Sequence, residues 1–269
     1  MKAALLGMDG HTFDLLKPWV EKYDLPNLEK ILDEGIHGTL ESTIPPSTAA
    51  AFPALYTGVS SENSGLWGWR ELDLENNQQV RINTNRFKAK RMWEILSEND
   101  LRSVWFNVPT TYPPDEFNGW MVTGLTTPDI NSEFTHPPEL KDEILEIEPE
   151  YQMHPRFYYS EERGDEFFEE IKGMLEKRFN IAKYLWNEKP WDVFVALFRF
   201  PDCILHHIWP EDEEIEKKIL EIQKQVDDYL GWFLEDEDVI FMFFSDHGFT
   251  QNKHHINSNK LLIENDWLK

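Results

Sequence analysis

Short apolar runs recur along the chain, separated by stretches in which apolar and polar residues alternate at helical spacing. The apolar runs lie at 1–7, 103–107, 119–124, 191–198 and 238–244. Runs of this length that stay apolar at consecutive positions are typical of strands buried on both faces of a parallel sheet. The stretches between them predict amphipathic helices. The alternation of the two patterns indicates an α/β fold.

The remaining predicted elements fill most of the chain. Helices are predicted over 13–21, 25–34, 90–99, 165–186 and 212–233, a helix is predicted to start within 49–55, and a strand is predicted over 38–43. Residues 129–190 differ in composition, because acidic and aromatic residues dominate them. We therefore expect one domain over residues 1–269, with 129–190 forming an inserted lobe over the edge of the sheet.

Composition narrows the class of partner. The net charge is −24, which argues against binding to a nucleic-acid backbone because phosphate contacts need a basic surface. No apolar run approaches the roughly 20 residues that span a bilayer, and no secretory leader precedes the first strand. Cys203 is the only cysteine. We therefore expect a cytoplasmic protein without a membrane partner.

The first and last apolar runs each stop at a carboxylate. The first leads into Asp9 and Gly10, and the last leads into Asp246 and His247. Ligands of open α/β sheets bind beyond the carboxyl ends of the strands, so these side chains should meet there. Two acids and an imidazole favour a hard or borderline divalent metal such as zinc.

Two further patterns could carry chemistry. Thr48 and Ser47 follow Pro45-Pro46 at the start of a predicted helix, where a hydroxyl can act as a nucleophile near the helix N-terminus. A plain helix cap is the alternative, and this motif alone favours it. Asp202 and His206 are four residues apart, so both can face one metal, although a surface ion pair has the same spacing.

As a set, these residues resemble the metal-binding and nucleophile pattern of the alkaline phosphatase superfamily, and in particular that of its type I phosphodiesterase/nucleotide pyrophosphatase branch. The set is Asp9, Thr48, Asp202, His206, Asp246 and His247, and similar segments lie at 25–28, 34–38, 57–58, 63–65 and 107–114, with Gly124 and Pro128. The resemblance implies a three-layer α/β/α sandwich. It also implies a hydrolase that acts on a small phosphorylated substrate, a phosphodiester or nucleotide pyrophosphate, through a phosphothreonine at Thr48.

The resemblance further implies two divalent ions, zinc or alternatively manganese. One ion would be held by Asp9, Asp246, His247 and the Thr48 hydroxyl. The other would be held by Asp202, His206 and a third histidine.

The chain departs from the family pattern at two places. Ser64 stands where the family commonly has histidine. The family's third metal-binding histidine lies far beyond the Asp246-His247 pair, whereas only His254 and His255 follow that pair in this chain. We expect either a relative shortened at the C-terminus or a local histidine that substitutes. The other histidines, His11, His37, His136 and His154, are predicted to be loop or surface residues.

Three alternatives remain open beside hydrolysis. A phosphotransferase or phosphomutase would use the same phosphothreonine. A truncated, non-catalytic relative would bind one metal or a phosphate without turnover. A sulfatase is disfavoured, because Thr48-Ala49-Ala50-Ala51 lacks the Cys/Ser-x-Pro-x-Arg string that those enzymes need. The sequence specifies neither the substrate nor the oligomeric state.

Overall fold

A six-stranded sheet forms the centre of the computed structural model, which describes residues 1–73 and 75–268. The strands are β1 (Lys2–Met8), β2 (Arg70–Asp73), β3 (Gln78–Arg81), β4 (Ser103–Val108), β5 (Gly119–Thr123), β6 (Thr135–His136), β7 (Val193–Phe198) and β8 (Val239–Phe244). The order in the central sheet is β6-β5-β4-β7-β1-β8, with β6 antiparallel to β5 and the other pairs parallel. Strands β2 and β3 form a separate antiparallel hairpin.

Helices cover both faces of this sheet. They are α1 (Phe13–Lys22), α2 (Pro26–Glu34), α3 (Thr48–Thr57), α4 (Ser61–Ser64), α5 (Met92–Glu98), α6 (Leu140–Ile147), α7 (Gly164–Glu188), α8 (Asp202–Leu205), α9 (Glu213–Leu234) and α10 (Ser258–Glu264). One core contains residues of α1, α2, α7 and α9, and a second core on the opposite face contains residues of α3 and α5. The predicted three-layer α/β/α sandwich is confirmed.

Neighbouring residues on each strand enter opposite cores, as the pleat of a strand requires. On β1, Leu6 packs in the core beneath α7 and α9, whereas Leu5 packs with the core beneath α3. On β7, Ala196 and Val195 divide in the same way. All six residues of β4 are buried. Burial on both faces is the reason that the strands are apolar without interruption.

Most of the predicted elements are present, and one is wrong. The helices expected near 13–21, 25–34, 90–99, 165–186 and 212–233 are confirmed, as are the strands. Residues 38–43, expected to be a strand, form an irregular segment that is mostly exposed and has no strand partner. A strand needs a neighbour to satisfy its backbone hydrogen bonds, so an alternating sequence alone does not make one. The hairpin β2–β3 and the helix α10 were not expected.

Residues 129–190, for which an inserted lobe is predicted, contribute directly to the central layers. Strand β6 pairs with the edge strand β5, and Phe167, Ile181 and Leu185 of α7 are fully buried in the same core as β7 and α9. The division into a domain and a lobe stays a prediction.

Within the described residues, no helix combines the length and the hydropathy that a bilayer crossing requires.

Candidate functional site

The carboxyl ends of β1, β7 and β8 meet at one point of the sheet, and each is followed by an aspartate. The backbone N–H of Asp9 donates to the carbonyl of Phe198 at 3.1 Å, and the N–H of Asp202 donates to the carbonyl of Asp9 at 3.2 Å. Gly10 has a φ of +76°, and a β-carbon there would lie 3.2 Å from the Asp202 Cβ. Glycine therefore allows both the left-handed turn and the close approach of the two aspartate segments.

His247 lies at the centre of the predicted residues. Its Nε2 is 2.9 Å from the Thr48 hydroxyl, 3.4 Å from Asp246 Oδ2 and 3.6 Å from Asp9 Oδ1. The ligand atoms of Asp9, Asp202 and His247 lie within 4.8 Å of one another. His206 joins through Asp202, with 3.1 Å between Nε2 and Oδ1. The fold thus brings all six predicted residues together.

The orientation of the His247 ring is set by its backbone. Its Nδ1 lies 3.0 Å from the carbonyl oxygen of Gly248, which can only accept, so Nδ1 carries the proton. Nε2 then presents its lone pair to the cluster, and the Thr48 hydroxyl donates to it. A ring held by a backbone carbonyl in this way is the usual arrangement of a metal-binding histidine.

The three aspartates form a concentration of buried negative charge. Asp9, Asp202 and Asp246 are buried, and both side-chain oxygens of Asp9 and both of Asp246 accept no hydrogen bond within the described residues. Burial, followed by the charges of Asp246 and Asp202, raises the pKa of Asp9 well above its usual range. Burial also raises the pKa of Asp246. Three buried carboxylates beside a single guanidinium carry an excess of negative charge, which is costly to bury unless further cations join them. The donor set therefore fits divalent metal ions.

Asp202 behaves differently from the other two acids. Burial acts to raise its pKa, but the hydrogen bond from His206 and the charge of Arg199 outweigh burial, so that the pKa is lowered. In return, the hydrogen bond to Asp202 raises the pKa of His206. The His206 side chain is 62% exposed, so this half of the site opens to solvent.

Thr48 is the first residue of α3 and is 6% exposed. The preceding Ser47 stands at the N-cap, but its side chain makes no capping hydrogen bond. The Thr48 hydroxyl is directed to His247 and not to the helix backbone. The helix N-terminus favours negative charge at this oxygen, which suits a nucleophile better than a cap.

Arg199 is a site residue that the sequence analysis missed. Its Nη2 lies 3.4 Å from Asp202 Oδ2 and its Nε lies 3.9 Å from Asp9 Oδ2, so the guanidinium bridges two of the three acids. Its side chain is 14% exposed. The sequence did carry a signal for Arg199. It is a single basic residue directly after the apolar run of β7 and three residues before Asp202.

The other histidines differ in their surroundings. His11 lies in the loop between β1 and α1, as expected, but it is buried, with its Nε2 2.9 Å from Gln223 Oε1. Burial lowers the pKa of His11 to about 4, so the ring is neutral. His37 is exposed, as expected, and His136 and His154 are half-buried. His254 and His255 are exposed, and neither forms a hydrogen bond or ion pair with the cluster in the described part of the chain.

The amino-acid sequence of the chain matches a known family. The sequence profile of the type I phosphodiesterase/nucleotide pyrophosphatase family matches residues 3–269. No curated protein matches the chain.

Several solved structures have a similar fold. Murine ectonucleotide pyrophosphatase/phosphodiesterase 5 is 16% identical in sequence and superposes with a TM-score of 0.62. The match covers 94% of this chain and 59% of the murine chain. An inactive variant of the same murine protein, solved in complex with AMP, is 15% identical with a TM-score of 0.59 over the same shares of both chains.

A bacterial enzyme is similar to a comparable degree. Phosphonoacetate hydrolase from Sinorhizobium meliloti, in complex with phosphonoacetate, is 15% identical with a TM-score of 0.65, over 100% of this chain and 62% of its own. At this level of identity the neighbours establish the fold. This chain spans about three-fifths of the length of each neighbour.

Proposed function

The chain belongs to the type I phosphodiesterase/nucleotide pyrophosphatase family of the alkaline phosphatase superfamily, and from that premise we propose that it is a metal-dependent hydrolase of phosphate esters. We further propose that phosphodiesters or nucleotide-like pyrophosphates are its substrates and that Thr48 becomes transiently phosphorylated. A cytoplasmic location stays a prediction from the sequence.

One observation carries the proposal. A threonine hydroxyl at a helix N-terminus donates to an imidazole that also faces two buried carboxylates, and within the described residues these carboxylates accept no hydrogen bond. A threonine hydroxyl is a weak nucleophile at neutral pH and needs an adjacent base or a metal. The cluster offers the donors for such a metal directly beside the hydroxyl oxygen.

Two groups of residues would hold the metal ions. Asp9, Asp246, His247 and the Thr48 hydroxyl would hold one, and Asp202 with His206 would contribute to the other. When bound, such ions neutralise charge on phosphoryl oxygens and lower the pKa of a hydroxyl or water. In the absence of metal, the negative charges of Asp9 and Asp246 repel the negatively charged phosphate ester, because like charges repel.

The chain's own groups account for the two halves of the reaction. The Thr48 oxygen attacks phosphorus, the bond to the leaving alcohol or phosphate breaks, and the Thr48 hydroxyl proton passes to a solvent water molecule. The leaving group takes up a proton. Water then attacks the phosphothreonine, which restores the Thr48 hydroxyl and releases phosphate or a phosphate monoester. The positive end of the α3 dipole and the guanidinium of Arg199 stabilise the negative charge that builds up next to the acids.

A substrate screen tests the class of reaction. We expect the zinc- or manganese-supplemented protein to hydrolyse a chromogenic phosphodiester or a nucleotide pyrophosphate faster than a chromogenic monoester, and to leave a chromogenic sulfate ester intact. Turnover of the sulfate ester alone would contradict the proposal. Release of the phosphoryl group to an added alcohol in preference to water would favour the phosphotransferase alternative, and metal binding without turnover would favour the non-catalytic one.

The number of tight metal sites is a separate prediction. Zinc sites with an open position normally use three protein ligands. Within the described residues, the histidine that lies with Asp202 besides His206 is His247, which is assigned to the first ion. We expect titration of the chelated protein to show one tight zinc ion and a second bound at least about 10-fold more weakly. His254→Ala and His255→Ala should leave both affinities unchanged. Two equally tight ions, one of them weakened by either substitution, would show that a local histidine completes the second site.

A further inference from the structure

The histidines of the two candidate metal groups are held in different ways. The His247 ring is fixed through its Nδ1, which donates to the carbonyl of Gly248. The Nε2 of His206 lies 3.1 Å from Asp202 Oδ1, but its Nδ1 has no hydrogen-bond partner within the described residues. The His206 side chain is also largely exposed, so few neighbours restrain it. A ligand that is free to leave its binding rotamer loses conformational entropy on binding, which weakens a metal site.

The aromatic ring of Phe249 contacts both of these imidazoles. Its centroid lies 5.1 Å from that of His206 at an interplanar angle of 86°, and 6.4 Å from that of His247 at an angle of 50°. The contact with His206 is edge-to-face, which is a favoured geometry of aromatic pairs. Among the described residues, no other aromatic ring pairs with either histidine. Phe249 therefore supplies the restraint that His206 lacks on its Nδ1 side.

The position of Phe249 is fixed independently of the two histidines. Its side chain is partly buried and packs against the core beneath α7 and α9. Two residues further along the chain, the side-chain amide of Gln251 donates to the carboxylate of Glu211. This hydrogen bond ties the segment that follows His247 to the segment that follows His206. The ring of Phe249 is therefore anchored between the two segments that carry the metal-binding histidines.

We propose that Phe249 is a positioning residue for the metal-binding histidines, and above all for His206. Because Phe249 holds the His206 ring in the rotamer that directs Nε2 toward Asp202, it pre-organises the weaker of the two metal groups. His247 has its own backbone restraint, so the metal group that contains it depends less on Phe249. This inference rests on the proposed function, in which both groups hold metal ions.

Zinc titration of the chelated Phe249→Leu protein tests this role. Leucine keeps an apolar side chain against the core but removes the aromatic ring. Calorimetry in the presence of a competing chelator gives the dissociation constants of both ions. We expect the weaker ion to lose about 3- to 10-fold in affinity, which is the range that one aromatic contact supplies, and the tighter ion to stay within about 2-fold.

Two further variants separate the ring contact from general damage to the fold. Phe249→Tyr keeps the ring and should bind the weaker ion as the unsubstituted protein does. Tyr158→Leu is the matched control, because it removes an exposed ring that lies at the same 5.1 Å from His207, a histidine that belongs to neither metal group. Both of its dissociation constants should be unchanged. If Phe249 only supports the fold, Phe249→Leu will lower the melting temperature and weaken both ions alike.

Three results would overturn the inference. The first is a folded Phe249→Leu protein that binds the weaker ion as tightly as the unsubstituted protein, and the second is equal weakening of both ions. The third needs no variant: it is the absence, from the metal-free protein, of nuclear Overhauser contacts between the ring protons of Phe249 and His206. Because the titrations contain no substrate, the expected change in zinc affinity without turnover of any ester would support the inference and contradict the proposed function.

Discussion

Thr48→Ala is expected to lower the rate of phosphoester hydrolysis by at least about 10³-fold, because loss of a nucleophile removes the covalent route entirely. The fold should persist, since the Thr48 side chain donates its one hydrogen bond to His247 and alanine is a good helix residue. The ratio kcat/KM for a chromogenic diester and the thermal unfolding curve measure the two expectations separately.

Ser47→Ala is the matched control for this substitution. Ser47 is the adjacent hydroxyl, it is partly exposed, and its side chain makes no capping hydrogen bond. We therefore expect its activity to stay within a few-fold of the unsubstituted protein. Loss of activity in Ser47→Ala with activity retained in Thr48→Ala would assign the nucleophile to Ser47.

Asp246→Asn is expected to abolish metal-dependent activity and yet stabilise the metal-free protein. Both Asp246 side-chain oxygens lack hydrogen-bond partners in the described residues, so the substitution removes a repelling charge and loses no hydrogen bond. An unsatisfied buried polar group costs about 1–3 kcal/mol, and each kcal/mol gained raises Tm by roughly 2–4 °C in a chain of this size. Calorimetric unfolding in the presence of a chelator measures the gain. A lower Tm of the metal-free variant would mean that Asp246 has a structural partner.

The same substitution changes the pH dependence of stability in a definite direction. The pKa values of Asp9 and Asp246 are raised in the folded protein, so the folded state binds protons more tightly than the unfolded chain. The metal-free protein should therefore lose stability as pH rises from about 4 through the raised pKa of Asp9. Asp246→Asn removes one of the charges that raise the pKa of Asp9, so its Tm should fall less between about pH 5 and about pH 8.

The central sheet could be predicted from the sequence because its strands are buried on both faces. Residues 103–107 and 191–198 are apolar at nearly every position, and few structures other than a central strand bury such a run. Residues 38–43 carry strand-like residues but have no neighbour, and the hairpin of β2 and β3 lies outside the sheet and is mostly exposed. Elements that depend on a partner distant in the sequence, or that bury few apolar groups, leave little periodic signal.

The site was predictable to the extent that it follows strand ends. Asp9, Asp246 and His247 come directly after apolar runs, and the rule for ligand sites in α/β sheets places them together. Arg199 was missed because its position directly after the apolar run of β7 does not show which acids it will meet. Its ion pair with Asp9, and the hydrogen bond of the buried His11 with Gln223, join residues that come together only in the folded chain.

The central claim is that phosphoester hydrolysis takes place at the cluster of Asp9, Asp202, Asp246 and His247 and requires metal ions there. Its most direct test is the initial rate of hydrolysis of a chromogenic diester by protein freed of metal with a chelator, dialysed, and then titrated with zinc or manganese. The account predicts no turnover without metal and a rate that rises with metal occupancy, in the unsubstituted protein but not in Asp246→Asn. Equal rates with and without metal, or metal-dependent turnover retained in Asp246→Asn, would contradict it.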